Sequence, residues 1–481
     1  MKIQLDTLLR YIIYLQVFVS FSYQQDGLGI INIGIPLIII LGIERAFKKN
    51  VSINVFGEKK SWIAIYLFFI IAVLSGLITI FTNPNAVLSR YIGVLLSLLF
   101  LFLTYYLTSL INHNYNKSFV FISDFLNVCL LHSAFVILEF IIVSISGQNY
   151  ISLIVGYTLS FFRLPTAVSW GDDSIVGRYK GILFEPGEVI SFAIPAFTAF
   201  LALLFFDKNT KKTYCISKLI VLSMSVLLTG SSTGIFLMLA ILLFFLIVSN
   251  IKLRNVGIMQ IMLYIFVGGV AALLCAYLLF QYQDFLPLPI QERVISIGHY
   301  LESGVYDSET NISVMVYLNS LNSVLFTLKN NPIIGFGPGY FSIAHTSVIE
   351  TINLKNFQGL EYLNQHDGYS MLLRLIVEFG IVGTITFLSI FYLRLSQAFK
   401  LFIFFQNQQY NKYSAMNNKA YKALLLTTSA ASASLLHCLI NKPSYWNMLL
   451  PILFGLCFKR GFTQELDFLT AKDRNSMFNS N

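Results

Sequence analysis

The stretch NQHDGYSMLLRLIVEFGIVG, residues 364–383, places side chains that can move protons directly before an apolar run. An imidazole with an ordinary pKa of about 6.5 can take a proton from a hydroxyl group near neutral pH, so His366 is a candidate general base. Asp367 could orient a partner or bind a hydroxyl group. The alternative is a solvated loop histidine, with Asp367 capping a helix that begins near Tyr369.

Arg374 and Glu378 follow inside the apolar run, four residues apart. On a helix that spacing puts both side chains on one face, so the leading interpretation is that they pair with each other. Ionisable groups at membrane depth are costly and usually face a polar cavity, which keeps a functional role open for both.

Two other segments carry arginines. FFRLPTAVSWGDDSIVGRYKGILFEPGE holds Arg163, Arg178 and Glu185, and LPIQERVISIGHYLESG holds Arg293. A guanidinium group stays protonated and binds phosphate oxygens through two parallel hydrogen bonds. Several arginines that converge just outside a bilayer would suit a lipid-linked diphosphate. The alternative for any single arginine is ordinary loop solubility.

NNPIIGFGPGYFSIAH contains three alternating glycines, Gly335, Gly337 and Gly339. Glycine allows a tight turn and a close approach of two backbones. A phosphate-cradling nest of backbone N–H groups is the alternative. A Rossmann or P-loop nucleotide site is rejected, because the strand and helix that such a site needs are missing from the pattern.

Composition defines the scaffold that must position these groups. Of 481 residues, 56% are hydrophobic and 11% are charged, whereas a soluble domain carries roughly 25% charged residues. Repeated apolar runs of about 17 to 25 residues predict an all-α polytopic membrane protein. The net charge of +9 comes from basic residues that flank these runs, so a nucleic-acid partner is not expected. The five cysteines form no CxxC pair, and no other metal motif is present, so no metal site is expected.

The apolar runs predict about twelve transmembrane helices, at 8–23, 29–44, 62–81, 89–110, 119–146, 187–206, 215–230, 233–249, 257–280, 370–399, 421–440 and 444–459. Basic residues in the short loops predict that both termini are cytoplasmic. The chain then divides into helices 1–9 over residues 1–280, a large external loop at 281–369, helices 10–12 over residues 370–460, and a cytoplasmic tail at 461–481. A second external loop lies at about 147–186.

The larger external loop has a helical pattern of its own. NISVMVYLNSLNSVLFTLKNNP predicts an amphipathic helix that ends at Pro332. We therefore expect a folded, helical external subdomain.

The order of these motifs resembles the O-antigen polymerase and O-antigen ligase superfamily. LTGSSTGIFLMLAILL is similar to its helix-starting TGS segment, and GRYKGILFEPGE is similar to its R-x-x-G-x-F-x-x-P segment. NNPIIGFGPGYF followed by QHDGYSMLLRLIVEFGIVG resembles its glycine-rich and H…E-x-G-x-x-G signature. Arg293, ten residues and Gly304 match an R-x10-G spacing of the polymerases. The chain departs from the pattern at Asp367, where asparagine or serine is usual.

This resemblance implies a glycosyltransferase of the multi-span C type in the bacterial inner membrane, with its active site facing the periplasm. It would need no cofactor and no metal. His366 would be the general base, Arg178 and Arg293 would bind undecaprenyl diphosphate, and Arg163 and Arg374 are further candidates. Glu185, Glu378 and Asp367 would orient or support the site, as would Gly335, Gly337 and Gly339.

The favoured function is an O-antigen polymerase, which transfers the growing glycan from undecaprenyl diphosphate to the non-reducing end of a new lipid-linked repeat unit. Its partners would be the lipid-linked donor and acceptor and membrane lipids, and a chain-length regulator is a further candidate. The first alternative is an O-antigen ligase that acts on lipid A–core, or a related oligosaccharyltransferase. The second is a polysaccharide flippase or other transporter, for which the ionisable residues of the apolar runs would form a proton path: Asp124, His132, Glu139 and His437. Asp124 and Glu139 lie near the ends of their predicted span, where snorkelling explains them.

Overall fold

The computed structural model of the chain describes most of the apolar runs. The described residues are 59–84, 86–111, 115–154, 178–182, 186–207, 209–249, 281–282, 288–303, 311–352, 363–409, 415–441, 445 and 449–457. The predicted spans at 8–23, 29–44 and 257–280, most of the loop at 147–186 and the tail at 461–481 lie outside them.

The described residues form α-helices and connecting turns, with no strand among them. In chain order the helices are α1 (Lys59–Thr82), α2 (Leu88–Ile111), α3 (Tyr115–Ser146), α4 (Pro186–Phe206), α5 (Lys212–Leu228), α6 (Ser232–Ser249), α7 (Leu288–Ser303), α8 (Ile312–Asn330), α9 (Phe341–Ile352), α10 (Met371–Gln409), α11 (Ala415–Asn441) and α12 (Leu449–Cys457).

Helices α4 and α11 form the centre of the bundle and pack against each other more extensively than any other pair in the described part. Both helices carry small, almost fully buried side chains, and small side chains let helix backbones approach closely. Those on α4 are Ala193, Ala196, Ala199 and Ala202, and those on α11 are Ala423, Ala430, Ala431 and Ala433. Helices α3, α5 and α6 pack on α4, while α3, α10 and α12 pack on α11, and α1 packs on α10.

The outer surface of the bundle is apolar. On α1 alone, Ile63, Leu67, Ile70, Leu74 and Ile78 are each about half exposed or close to it. A contiguous apolar surface of this kind is costly in water and favourable against lipid. The described part contains seven helices that are long and apolar enough to cross a membrane. The chain is therefore a multi-pass membrane protein whose described part is all-helical, whereas the count of twelve spans stays a prediction.

One of the seven differs from the sequence prediction. Ile312–Asn330 has the length and hydropathy of a span, although the sequence places it in the external subdomain. Its buried face is unusually polar and includes Asn319, Ser320, Ser323 and Thr327. It packs on α9 and on the first part of α10, which supports its place in a helical subdomain with α7 and α9.

The predicted span 370–399 is not a continuous helix. Gly380 has φ 63° and ψ −166°, which breaks α10 into two parts. The freed backbone groups pair with the preceding glycine-rich turn. Phe336 N–H donates to Val377 O at 2.9 Å and Gly337 N–H to Glu378 O at 2.7 Å, while Ile381 N–H donates to Pro332 O at 2.9 Å. A membrane helix tolerates such a break because neighbouring backbone satisfies the opened groups.

Candidate active site

The loop that carries His366 is a tight turn between α9 and α10. Asn364 has φ 56° and Gly368 has φ 68°, and Gly368 N–H donates to Asn364 O at 2.8 Å. A Cβ on Gly368 would lie 2.8 Å from the ring of Phe341 on α9. Gln365 Nε2 also donates to Thr346 Oγ1 on α9 at 2.9 Å. The turn is therefore held against α9, with the imidazole of His366 exposed.

A charge network holds the other side of this turn, with Arg374 and Glu378 buried and Asp367 exposed. Arg374 Nη1 donates to Asp367 Oδ1 at 2.7 Å, and Arg374 Nε donates to Glu378 Oε1 at 2.9 Å. Tyr445 Oη donates to Glu378 Oε2 at 3.1 Å, and its ring lies 4.5 Å from the Arg374 guanidinium. The predicted pairing of Arg374 with Glu378 is confirmed.

The network also decides between the two roles considered for Asp367. The α10 helix begins at Met371, and the Ser370 hydroxyl accepts the Leu373 N–H at 3.3 Å. Asp367 instead binds Arg374. The alternative of Asp367 as the helix cap is therefore wrong, because Ser370 is closer to the first free N–H groups of the helix.

Arg90, at the start of α2, belongs to the candidate site by its contact with His366, and the sequence did not single it out. Its Nη1 lies 3.1 Å from His366 Nδ1. A guanidinium group only donates hydrogen bonds, so Nδ1 accepts, and the neutral imidazole carries its proton on Nε2. The one available signal was an arginine at the start of an apolar run, a position that membrane topology also explains.

The surroundings of His366 favour its neutral form. Partial desolvation and then the positive charge of Arg90 lower the pKa of His366, and Arg374 acts in the same direction, whereas Asp367 raises it. On α9, burial lowers the pKa of His345 to about 4, with a further contribution from His366. At neutral pH both imidazoles are therefore uncharged, which is the state that a proton acceptor needs.

Two predicted phosphate ligands meet at the turn between α5 and α6. Arg178 Nε donates to Thr229 O at 3.4 Å, and Arg293, from α7, donates to Ser232 Oγ. Desolvation lowers the pKa of Arg293, and the charge of Arg178 contributes, while Tyr369 and Glu292 oppose the shift. Arg293 Nε is buried and has no hydrogen-bond partner among the described residues. Two neighbouring guanidinium groups with a spare buried donor make this turn suited to an anion.

The short segment 178–182 is positioned by Glu139 of α3. Glu139 Oε2 accepts the N–H groups of Lys180 at 2.8 Å and Gly181 at 2.7 Å, and Oε1 accepts Asn149 Nδ2 at 2.6 Å. Its side chain is 1% exposed. The snorkelling explanation for Glu139 is therefore wrong, because the carboxylate points into the protein and binds the segment that presents Arg178.

The pair of Arg178 and Arg293 lies in the same region of the molecule as the pair of Arg90 and His366. Tyr369 interacts electrostatically with Arg293 and is three residues after His366, a separation that spans at most about 11 Å. Arg178, Arg293 and the pair of Arg90 and His366 thus lie at the same end of the helix bundle. No group of three or more metal-ligating side chains occurs in the described part of the chain.

The three glycines are packing residues in this structure. A Cβ would lie 2.5 Å from Val377 O at Gly335, 2.7 Å from the Gly76 Cα at Gly337 and 2.7 Å from Arg90 O at Gly339. The N–H groups of Gly335 and Gly337 donate to backbone carbonyls. These donors are therefore occupied, which excludes the phosphate nest at those two positions and favours close backbone approach.

Two predicted site residues, Arg163 and Glu185, lie outside the described residues. Their roles as a phosphate ligand and a supporting residue stay predictions.

The family model described as O-antigen ligase matches residues 218–388. The match begins in α5 and ends in α10, so it includes Arg293, the three glycines, His366 and Glu378. It confirms the resemblance to the O-antigen ligase and polymerase superfamily. A search of curated proteins found no match to the chain.

Proposed function

We propose that this protein is an O-antigen polymerase of the bacterial inner membrane. It transfers the growing glycan from undecaprenyl diphosphate to the non-reducing end of a new undecaprenyl-diphosphate-linked repeat unit. The reaction takes place at the periplasmic face, and both termini are cytoplasmic. A chain-length regulator is a candidate partner.

The observation that carries the proposal is the convergence of three separate segments, which carry His366, Arg178 and Arg293, on one end of the bundle. They bring a neutral imidazole, His366, to the same region as Arg178 and Arg293. His366 and Arg293 lie within the part of the chain that resembles O-antigen ligases, and Arg178 precedes it in sequence. This combination supplies the two functions that the transfer requires, a proton acceptor and a cationic site for a departing diphosphate.

The transfer step uses these groups as follows. The acceptor hydroxyl oxygen attacks the anomeric carbon of the donor glycan and forms a new C–O bond. The bond between that carbon and the diphosphate oxygen breaks, and its electron pair leaves with the diphosphate. The hydroxyl proton moves to His366. Arg178 and Arg293 stabilise the charge that accumulates on the departing oxygens.

Arg374, Asp367 and Glu378 act on the geometry of this site. The Arg374 guanidinium is engaged by two carboxylates and is buried with Glu378, so we assign it to holding the His366 turn in place. A direct contact of Arg374 with diphosphate stays a prediction that this arrangement does not favour.

The description of the matching family model favours a second candidate, an O-antigen ligase that passes the same donor to lipid A–core. The R-x10-G spacing from Arg293 to Gly304 favours the polymerase. Both enzymes would use the same donor site, so the acceptor distinguishes them.

Purified protein in proteoliposomes separates the candidates. A polymerase converts undecaprenyl-diphosphate-linked repeat units alone into products of two or more units. A ligase leaves these units unchanged until lipid A–core is added. Transport of intact units with no new glycosidic bond under either condition would contradict both and indicate a flippase.

A further inference from the structure

Arg90 lies outside every motif that points to function, yet its guanidinium contacts the candidate base. Packing fixes its place at the start of α2. The turn at Gly339 approaches the Arg90 carbonyl so closely that a Cβ would lie 2.7 Å from it. Tyr340 Oη donates to Val87 O at 3.4 Å, and the rings of Tyr91 and Tyr340 stack with centroids 6.4 Å apart. The backbone of Arg90 is thus attached to the external turn that precedes His366.

Both side chains of the pair remain exposed. The guanidinium therefore has donors that can reach a ligand, while one of them occupies the lone pair on His366 Nδ1. The other ring nitrogen carries the proton. In this arrangement the imidazole has no free lone pair, so it cannot accept a proton from an acceptor hydroxyl group until Arg90 moves.

A diphosphate competes directly for the guanidinium. Phosphate oxygens accept two parallel hydrogen bonds from arginine and carry a full opposite charge, whereas Nδ1 is one neutral acceptor. We infer that Arg90 is a ligand of the donor diphosphate, and that its transfer from His366 Nδ1 to a phosphate oxygen uncovers the base only when the donor is bound.

This inference rests on the proposed function and extends it to the control of His366. The exchange replaces one hydrogen bond with another, and no covalent bond changes. When the acceptor hydroxyl oxygen then attacks the anomeric carbon, its proton moves to the uncovered Nδ1. Without a donor the base stays covered. Among the described residues, the charged or titratable groups that face His366 are Arg90 from α2, Asp367 in its own turn, Arg374 from α10 and His345 from α9.

Binding of undecaprenyl diphosphate to the full-length protein in nanodiscs tests the ligand half of the inference. A charge-assisted hydrogen bond contributes about 1.5–3 kcal/mol, so Arg90→Gln should weaken binding by about tenfold or more. Arg90→Lys keeps the charge but cannot form two parallel hydrogen bonds to a phosphate, so this variant should bind with intermediate affinity. Lys329→Gln removes an exposed cation from α8 and should bind like wild type.

The ¹⁵N NMR signals of the His366 ring test the second part of the inference, that Arg90 occupies Nδ1 until the donor binds. The chain has six histidines, so the ¹⁵N signals of labelled protein can be assigned with a His366→Gln variant. Arg90→Gln should change the Nδ1 signal of His366. The substitution should also raise the pKa of His366, because it removes the positive charge of Arg90. Undecaprenyl diphosphate should reproduce the change at Nδ1 in wild type and leave that signal of Arg90→Gln largely unaltered.

The outcomes separate the inference from the proposed function. Equal binding of undecaprenyl diphosphate by wild type and Arg90→Gln, with an unchanged Nδ1 signal, overturns the inference alone. Failure of wild type to bind undecaprenyl diphosphate overturns both. A matched size-exclusion profile of Arg90→Lys and Arg90→Gln shows that loss of fold does not cause the effect, and Arg90→Lys supplies the comparison if Arg90→Gln does not fold.

Discussion

At the scale of residues, the site combines neutral and charged groups that come from distant parts of the chain. Arg90 and His366 are separated by 276 positions in sequence and by 3.1 Å between side-chain nitrogens. Arg178 and Arg293 both bind the turn from Thr229 to Ser232. A reaction that moves one proton and releases one diphosphate needs both kinds of group in the same region.

The guanidinium geometry of Arg178 and Arg293 leads to the first prediction. Lysine keeps the charge but cannot form two parallel hydrogen bonds to a phosphate, so Arg178→Lys and Arg293→Lys should each slow polymerisation by roughly ten- to hundredfold. The rate of glycan elongation in proteoliposomes measures the effect, with Lys329→Arg as an exposed control. Normal rates in both lysine variants would contradict the diphosphate role of these arginines.

Glu139 leads to a second prediction, because it is buried and acts through the segment it binds. Glu139→Ala removes the acceptor of three hydrogen bonds and should reduce polymerisation by loosening the segment of Arg178. In the double variant Glu139→Ala with Arg178→Lys, the losses should not add, since residues that act as a unit are coupled. The conservative Glu139→Gln should recover part of the rate because it keeps an oxygen acceptor. Strict additivity of the two losses would show that Glu139 does not act through Arg178.

At the scale of elements, the break in α10 joins the glycine-rich turn to the helix that follows His366. Two N–H groups of the turn bond to α10 carbonyls before the break, and two N–H groups of α10 after the break bond to the turn. Thr79 of α1 also donates to Phe336 O. The glycine-rich turn therefore connects α1, α2 and α10, and its position determines where His366 and Arg90 meet.

A third prediction concerns the glycine at the break. Gly380 has a backbone conformation that is almost restricted to glycine, and a Cβ there would collide with Ile333 O. Gly380→Ala should destabilise the fold by about 3 kcal/mol. Gly93 of α2 has open space around its Cβ position, so Gly93→Ala is a matched control that should not lower stability. Apparent melting temperatures in detergent compare the two, and equal stability of Gly380→Ala and wild type would contradict the account of the break.

The sequence predicted the long helices well and the break in α10 not at all. Predicted spans at 62–81, 89–110 and 119–146 agree with α1, α2 and α3 within a few residues, because the thickness of the bilayer limits the length of an apolar run. The run 370–399 is continuous in hydropathy, and hydropathy does not report the backbone angles of Gly380. The break depends on a turn more than forty residues earlier, which no local pattern encodes.

In the candidate site, too, local sequence patterns indicate some residues, whereas others are placed only by contacts between distant segments. The sequence singled out His366, Arg178 and Arg293 as candidates because their residue types and neighbouring motifs indicate their chemistry, and their roles stay proposals. It did not connect Arg90 or Glu139 with these candidates, because an arginine at a membrane boundary and a glutamate near a helix end also have topological explanations. Only the packing of α2 on Tyr340, and of residues 178–182 on α3, places these two side chains in the site.

At the scale of the whole molecule, the described site residues lie at one end of the helices. They occupy the start of α2, the turn between α5 and α6, and the turn that leads into α10 together with the start of that helix. Under the proposed topology, with twelve spans that alternate from a cytoplasmic N-terminus, all of these positions would lie on the external side. The lipid carrier would thus approach along the apolar surface of the bundle, while the glycans remain outside the bilayer.

A fourth prediction tests this orientation. Lys329→Cys at the end of α8 should react with a membrane-impermeant maleimide in spheroplasts, whereas Lys211→Cys, just before α5, should react only after the membrane is broken. Both positions are exposed, and the native cysteines in the described residues are buried, so wild-type protein provides the background. Reaction of Lys211→Cys in intact spheroplasts would reverse the assigned topology.

The lipopolysaccharide ladder of a deletion strain complemented with wild type or with His366→Ala tests the central claim most directly. We predict core with a single repeat unit in the deletion strain and in the His366→Ala strain, a full ladder with wild type, and normal membrane levels of the variant. A full ladder with His366→Ala would contradict the role of His366 as the base, and bare core in the deletion strain would contradict the assignment as a polymerase.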